Sequence, residues 1–332
     1  HLVRSNLTGH DSHGVGMLPF YMRMLQADLL HPNKKPELVK ADGSILMFDG
    51  RRGYGQAVGK MAMEKAIEKC HESGLVLMTL RNTHHLGRIG TYGEQSIAAG
   101  MVSLHFVNVT DHPPLVAPFR GSDARFSTNP ICLAMPGSQK QPPILLDMAT
   151  SRIALGKTRV ALNKGEALKE GLVINYQGQP STDPGVMAGH LFPDRSDNPP
   201  LGALTPFGDY KGYSLALFCE LFGGLLSGGG TILPEHPRQN SIINNMFTLI
   251  IDPAKLVAIP WMQHEVEAIV SHSKASPPTN QEEPVLVAGD PERQFIKTRQ
   301  TKGIPIDDAT WKQILDGAEV LGLSKTEIQN LT

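Results

Sequence analysis

The chain has 332 residues, 40% of them hydrophobic and 19% charged, with a formal net charge of -1. That is an ordinary globular composition, long enough for one large domain or two smaller ones. With no charge excess and no apolar run of membrane-spanning length, neither nucleic acid nor a membrane is an expected partner.

The cysteines, Cys70, Cys132 and Cys219, are few and far apart, and none forms a CxxC pair. This argues against a disulfide framework or a zinc ribbon, and for a reducing, cytoplasmic setting. The opening "HLVRSNL" reads as the tail of a helix whose beginning is missing. Next comes "GHDSHG" (9–14), where two histidines, an aspartate and a serine lie between glycines. It admits a catalytic loop, a metal site or a polar turn capped by Asp11 or Ser12, and taken alone the turn is the commonest case.

"SILMFDG" (44–50) reads as a strand and 56–73 as a helix, with Val58, Ala62, Ala66, Ile67 and Cys70 at helical spacing. A buried strand follows at 74–81, then a polar loop (82–90), a short helix and a strand at 101–109. This alternation predicts an α/β protein. The loop 82–90 holds Thr83-His84-His85-Leu86-Gly87-Arg88 at the carboxyl end of a strand, where α/β proteins place ligands. There His85 could pass a proton and Arg88 could hold a carboxylate or phosphate. Strands are expected at 131–136 and 143–149, then a helix over 151–162 capped by Thr150 or Ser151. The Pro- and Gly-rich stretch 178–206 reads as a long surface loop. A buried helix ended by glycines is expected over 211–229, a strand over 246–252, and closing helices over 292–302 and 308–321.

Several familiar sites are missing. Gly53-Tyr54-Gly55-Gln56-Ala57-Val58-Gly59 puts its third glycine one place late for a dinucleotide fingerprint, and the strand that follows ends in a basic residue. There is no Walker loop and no GxSxG elbow. His10, His13, His84 and His85, with Asp11, could supply metal ligands, but no HxxxH or HExxH spacing supports them and no metal is expected.

Six stretches together change the reading: "GHDSHGVGMLPFY", "THHLGRIGTYGEQ", "VAPFRGSDARFSTNPICLAMPG", "LLDMATSRIALGK", "DYKGYSLALFCELFGGLLSGG" and "KGIPIDDATWKQI". In this order they resemble the type-2 malate/L-lactate dehydrogenase family over essentially the whole chain, and within it a hydroxycarboxylate dehydrogenase branch. The resemblance implies an α/β, non-Rossmann malate/L-lactate (sulfolactate) dehydrogenase-like fold with a mixed sheet. It implies an enzyme using NAD, with NADP as the alternative, on a small-molecule 2-hydroxy or 2-oxo acid, and a homodimer. By motif position His13 and His85 are the expected catalytic residues. Gly87, Ile89, Asn129, Met148, Ala149, Thr150, Ser151, Lys211, Gly212, Gly289 and Asp290 are the expected cofactor-binding residues. Arg88, Tyr21 and Met17 are expected at the substrate. Met17 stands where many members carry an arginine for the substrate carboxylate, which leaves Arg88 for that task. It predicts an apolar wall tolerant of larger or aromatic substrates such as hydroxyphenylpyruvate. Ala288 replaces a proline common in the family, and 189–200 looks like an insertion. The expected organisation joins residues 1–55 to 211–332 around the GHDSHG loop and makes 56–210 the NAD(P)-binding region. A metal-dependent hydrolase or lyase and a cyclic-imine reductase are the competing readings.

Overall fold

The computed structural model describes residues 1–191 and 196–331. Helix α1 (Leu2–Leu7) leads into two 3-10 turns, Asp11–His13 and Val15–Met17, and helix α2 (Leu18–Gln26). Strands β1 (Glu37–Asp42) and β2 (Ile45–Asp49) form an antiparallel hairpin. Helix α3 (Gly55–Ser73) then crosses to β3 (Leu75–His84), which pairs with β2 in parallel. Its apolar stripe, Val58, Ala62, Met63, Ala66 and Cys70, is fully buried. Gly74 (φ +77°) ends it in a left-handed cap that donates to the carbonyl of Cys70. The glycines of the near-fingerprint have a packing role. A Cβ on Gly55 would collide with the carbonyl oxygens of His84 and His85, so the start of α3 and the 84–85 backbone can meet only at a glycine.

Helix α4 (Gly90–Ala98) and strands β4 (Val102–Thr110), β5 (Ile131–Met135) and β6 (Ile144–Met148) follow. Beyond them lie α5 (Leu155–Lys164), the short strands β7 (Val173–Ile174) and β8 (Pro180–Ser181), α6 (Ala188–Leu191) and β9 (Ala203–Leu204). Helix α7 (Tyr210–Cys219) runs into a π turn (Glu220–Leu225), then come β10 (Ile243–Ile251), α8 (Ile259–Lys274), α9 (Asp290–Lys302), α10 (Asp308–Val320) and α11 (Lys325–Leu331).

The main sheet has seven strands in the order β1-β2-β3-β10-β4-β5-β6, and β8-β7-β9 form a second sheet. Among the described residues only β2 and β3 pair in parallel within the main sheet. The fold is therefore α/β with a mixed sheet, unlike the mostly parallel Rossmann sheet. Strand β10, late in the chain, is inserted between β3 and β4 and antiparallel to both. The main core, with Phe48, Met78, Leu80, Met246 and Ile250, lies between this sheet and helices α3 and α4. A smaller core around Leu115, Val116, Val173, Met187 and Leu204 fills the space beside the second sheet.

Several boundaries differ from the sequence reading. Strand β3 continues through His84 because its last residues pair with Ile243 and Asn244 of β10. The expected loop 178–206 supplies two strands of the small sheet and part of its core. Within the suspected insertion 189–200, residues 192–195 lie outside the described residues. Helix α5 begins four residues later than expected, since Ser151 bridges Pro206 and Thr150 folds back on Thr128, so neither caps it. The stretch 211–229 is not uniformly buried: Phe218 is 46% and Leu225 57% exposed. Helices α2, α8 and α11 and strand β1 were not anticipated.

Candidate active site

Strand β3 ends at His84 and the chain turns through Leu86–Ile89, beside the end of β6. Across from them lie the 3-10 turns of GHDSHG. A cavity of about 750 Å³ opens between them, bounded further by α5, the first turns of α9 and the 305–310 segment. That is a size typical of small-molecule sites, which run from roughly 300 to 1,000 Å³.

His13 lines this cavity. Its Nδ1 lies 2.9 Å from Ser12 Oγ, and its Nε2 has no hydrogen-bond partner among the described residues. Burial of the ring lowers its pKa to about 4, opposed in part by the Asp147 carboxylate. The imidazole is therefore neutral at physiological pH.

His85 stands behind His13, ring centroids 5.3 Å apart, and is itself buried. Its Nδ1 is 2.8 Å from Tyr21 Oη, which accepts a 2.7 Å bond from Gln56 Nε2. Gln56 thus donates to the phenol oxygen, while the phenol and His85 Nδ1 share a hydrogen bond whose direction is set by the tautomer of the ring. Burial, then the neighbouring histidines His13, His84 and His112, hold the His85 pKa well below its ordinary value. Tyr21 lies outside the cavity lining and orients His85.

Gly87 (φ +72°) and Ile89 line the cavity, as do Met148, Ala149 and Ser151 of its floor. Asn129 and Thr150 lie beneath that floor. Thr150 Oγ1 is 3.0 and 3.1 Å from the carbonyls of Thr128 and Asn129. Asn129 Nδ2 donates to the Ala216 carbonyl (3.1 Å) and to Glu220 Oε1 (2.8 Å), tying the floor to α7. Glu220 is buried; desolvation raises its pKa, while bonds from Asn108, Asn129 and the Ile232 amide act against the rise.

Arg88 also lines the cavity, but its side chain is 0% exposed and set between two carboxylates. Nη1 is 3.1 Å from Glu94 Oε1 and Nε 3.5 Å from Asp147 Oδ2. The guanidinium is ion-paired with both carboxylates, and none of its three nitrogens has a hydrogen-bond partner among the described residues. Met17 lies outside the lining; the apolar walls come from Phe295, Ile306, Val160 and Ile153. The geometric basis for a Met17 wall is therefore lost.

Lys211, Gly212, Gly289 and Asp290 are likewise not part of the lining. Lys211 is exposed on the first turn of α7, and Gly212 lets that turn approach Phe207 closely. Gly289 (φ +94°) precedes α9. Asp290 bonds to Lys274 (2.8 Å), Arg293 (2.6 Å) and the Val287 amide, and these outweigh burial to lower its pKa to about 2. It fixes the start of α9 beside the cavity.

The site also contains residues that the motif comparison did not assign. Asp147 accepts the Gly90 amide (2.8 Å) at the cavity edge. Lys157 and Arg159, from "GKTRVA", supply positive charge along α5. Glu292 lines the cavity with a buried Oε2 that has no hydrogen-bond partner. Asp147 and Lys157 fall within the stretch "LLDMATSRIALGK". Glu292 follows the Gly289-Asp290 turn expected at the cofactor, on the helix that this turn opens. Among the described residues, no group of three His, Cys, Asp or Glu side chains is placed to hold a metal ion.

The family profile described as malate/L-lactate dehydrogenase matches residues 1–315. The chain is 43% identical over 331 residues to hydroxycarboxylate dehydrogenase B of Escherichia coli K12, covering 99% of this chain and 88% of that protein. It is 40% identical over 324 residues to an L-lactate dehydrogenase of Cupriavidus necator, covering 98% of this chain and 90% of that protein. A solved E. coli structure, assigned to malate/lactate dehydrogenase, superposes with a TM-score of 0.92 at 43% identity, covering 99% of this chain and 89% of that one.

Proposed function

Because this chain belongs to the malate/L-lactate dehydrogenase family, whose members here are hydroxy-acid dehydrogenases, we propose that it interconverts 2-hydroxy and 2-oxo acids with NAD, or alternatively NADP. The observation that carries this reading is His13, a neutral imidazole with one nitrogen bonded to Ser12 and the other unpartnered in a cavity lined by Met148, Ala149 and Ser151.

The cavity suits a nicotinamide cofactor chemically. The orphaned Glu292 Oε2 calls for hydroxyl or amide donors, which ribose and carboxamide groups offer. Lys157 and Arg159 supply charge for phosphate or carboxylate. When bound, the cofactor takes or supplies the hydride at substrate C2. His13 Nε2 accepts the hydroxyl proton in oxidation and returns it in reduction. His85, held by Tyr21 and Gln56, backs the His13 ring and limits the orientations it can take. Arg88 is ion-paired with Glu94 and Asp147, so the substrate carboxylate is assigned to Lys157, which makes no ion pair among the described residues, with the hydrogen-bond-free guanidinium of Arg88 as the alternative. Phe295, Ile306 and Val160 provide an apolar surface for larger side chains, and aromatic 2-oxo acids are the proposed preference.

A homodimer and a cytoplasmic location complete the proposal. Exposed Leu217, Phe218, Leu225, Leu226 and Leu233 on and after α7 support an interface there. No helix among the described residues is long and apolar enough to cross a membrane.

The test is oxidation of NADH and NADPH, followed by absorbance, against acids from pyruvate and oxaloacetate to hydroxyphenylpyruvate, with cyclic imines included. His13→Ala should lower turnover by roughly a hundredfold or more while leaving nucleotide binding intact by fluorescence. Absence of both turnover and nucleotide binding in the unaltered protein would overturn the proposal.

A further inference from the structure

We propose that Arg299, near the end of α9, is a positioning residue for His13: its two-pronged bond to Asp11 locks the GHDSHG loop in the conformation that presents His13 Nε2 to the cavity. The inference rests on the reading of His13 as the acid/base.

The geometry spans nearly the whole chain. Arg299 Nη1 and Nη2 lie 2.6 and 2.8 Å from Asp11 Oδ1 and Oδ2, and Nη1 also donates to the Asn6 carbonyl. Asn6 closes the circuit. Its Nδ2 donates to Asp11 Oδ1 (2.7 Å), and its Oδ1 accepts the Val15 amide (2.8 Å). One guanidinium, one carboxylate and one buried amide thus tie together Asn6 at the end of α1, Asp11 in the loop and Val15 just after it, with His13 between the anchored points. Only arginine makes this contact in full, because the planar fork matches both carboxylate oxygens and keeps a hydrogen for the Asn6 carbonyl.

Two glycines show how closely the loop is held. A Cβ on Gly14 would collide with the Asn6 side chain. Gly9 (φ +84°) would place a Cβ 2.6 Å from the ring of Phe295, one helical turn before Arg299 on α9. The Arg299 guanidinium lies 5.2 Å from the centre of that ring. Phe295 and Glu292 both line the cavity, so the helix that walls the cavity also holds the histidine loop. The Asp11–Arg299 pair acts through position: the charged and titratable groups facing His13 are Asp147, His10 and His85.

Two readouts test this, one independent of turnover. In protein labelled with 15N-histidine, with His13→Asn assigning the resonance, the His13 ring should titrate near pH 4 in the unaltered protein and nearer the ordinary 6.5 in Arg299→Gln, as the loosened loop admits water. In the absorbance assay, Arg299→Gln and Asp11→Asn should each lower kcat about tenfold or more, with nucleotide affinity by fluorescence held within about twofold. Arg299→Lys should fall between, and the double variant should be no worse than the poorer single one. If Arg299→Gln does not fold, Arg299→Lys and Asp11→Asn carry the same test. A lowered melting temperature with unchanged titration and kcat would reduce the pair to a purely structural one and overturn the proposal. If the unaltered protein turns over no acid, the dehydrogenase reading fails, and the titration still decides whether Arg299 holds the loop.

Discussion

Replacing Tyr21 with phenylalanine removes a single oxygen from a side chain that is 2% exposed. That oxygen bonds to His85 Nδ1 at 2.8 Å and to Gln56 Nε2 at 2.7 Å, so both partners lose it at once. A buried polar group left unpaired costs about 1–3 kcal/mol. His85 is buried and should bear most of that cost, whereas Gln56 is partly exposed and water can replace its partner. A loss of about 2–3 kcal/mol follows, lowering the melting temperature by roughly 3–4 °C in a chain of this size. Without the phenol, His85 is free to change tautomer and turn away from His13. A misplaced ring worth about 1.4 kcal/mol in the transition state lowers kcat about tenfold. Urea unfolding and the absorbance assay read the two effects, with Gln56→Leu as companion. Because the three groups form one chain, the double variant should lose less than the sum of the single losses. Stability and kcat in Tyr21→Phe indistinguishable from the unaltered protein, or strictly additive losses, would show that Tyr21 does not orient His85.

Two further outcomes follow from the buried histidines. Since the free protein holds His13 near pKa 4, kcat/KM for hydroxy-acid oxidation should stay level as pH falls from 8 and drop only toward pH 4, whereas 2-oxo acid reduction should rise over the same approach; an inflection near 6.5 in both directions would contradict the assignment. His105, fully buried between Ser103 Oγ and Thr248 Oγ1 at 2.9 Å each, has its pKa lowered by burial to about 3. A ring whose folded pKa lies below its unfolded value resists protonation only in the folded state. Its contribution is therefore intact above pH 6.5 and lost as pH falls toward 3, by about 4–5 kcal/mol, so His105→Gln should flatten the acid limb of the stability curve measured by urea unfolding.

Local patterning made much of the fold legible. The stripe of α3 repeats at helical spacing, and the strands at 45–49, 102–110, 131–135 and 144–148 are compact apolar runs. Such periods are written in consecutive residues, because a helix or strand must turn one face to the core. The site was legible more indirectly, through motifs whose order marked the family. Those motifs located the loops around the cavity: His13, Gly87, Ile89, Met148, Ala149 and Ser151 all line it.

What no local pattern carried was every relation between distant segments. The insertion of β10 between β3 and β4 extends β3 through His84, turning the first three residues of the expected loop 82–90 into strand. Arg88 looked like a free cation in sequence, but Glu94 and Asp147 close around it only after folding. Met17 and Phe295 exchange the expected role of apolar wall, because α9 packs against the GHDSHG loop from almost the other end of the chain. The same packing brings Arg299 to Asp11 across 288 positions. Helical and strand periods are short-range and survive in the order of residues. The partner of a buried charge, the face that lines a cavity and the neutrality of a histidine depend on what the completed fold excludes from water, and only the tertiary structure decides that.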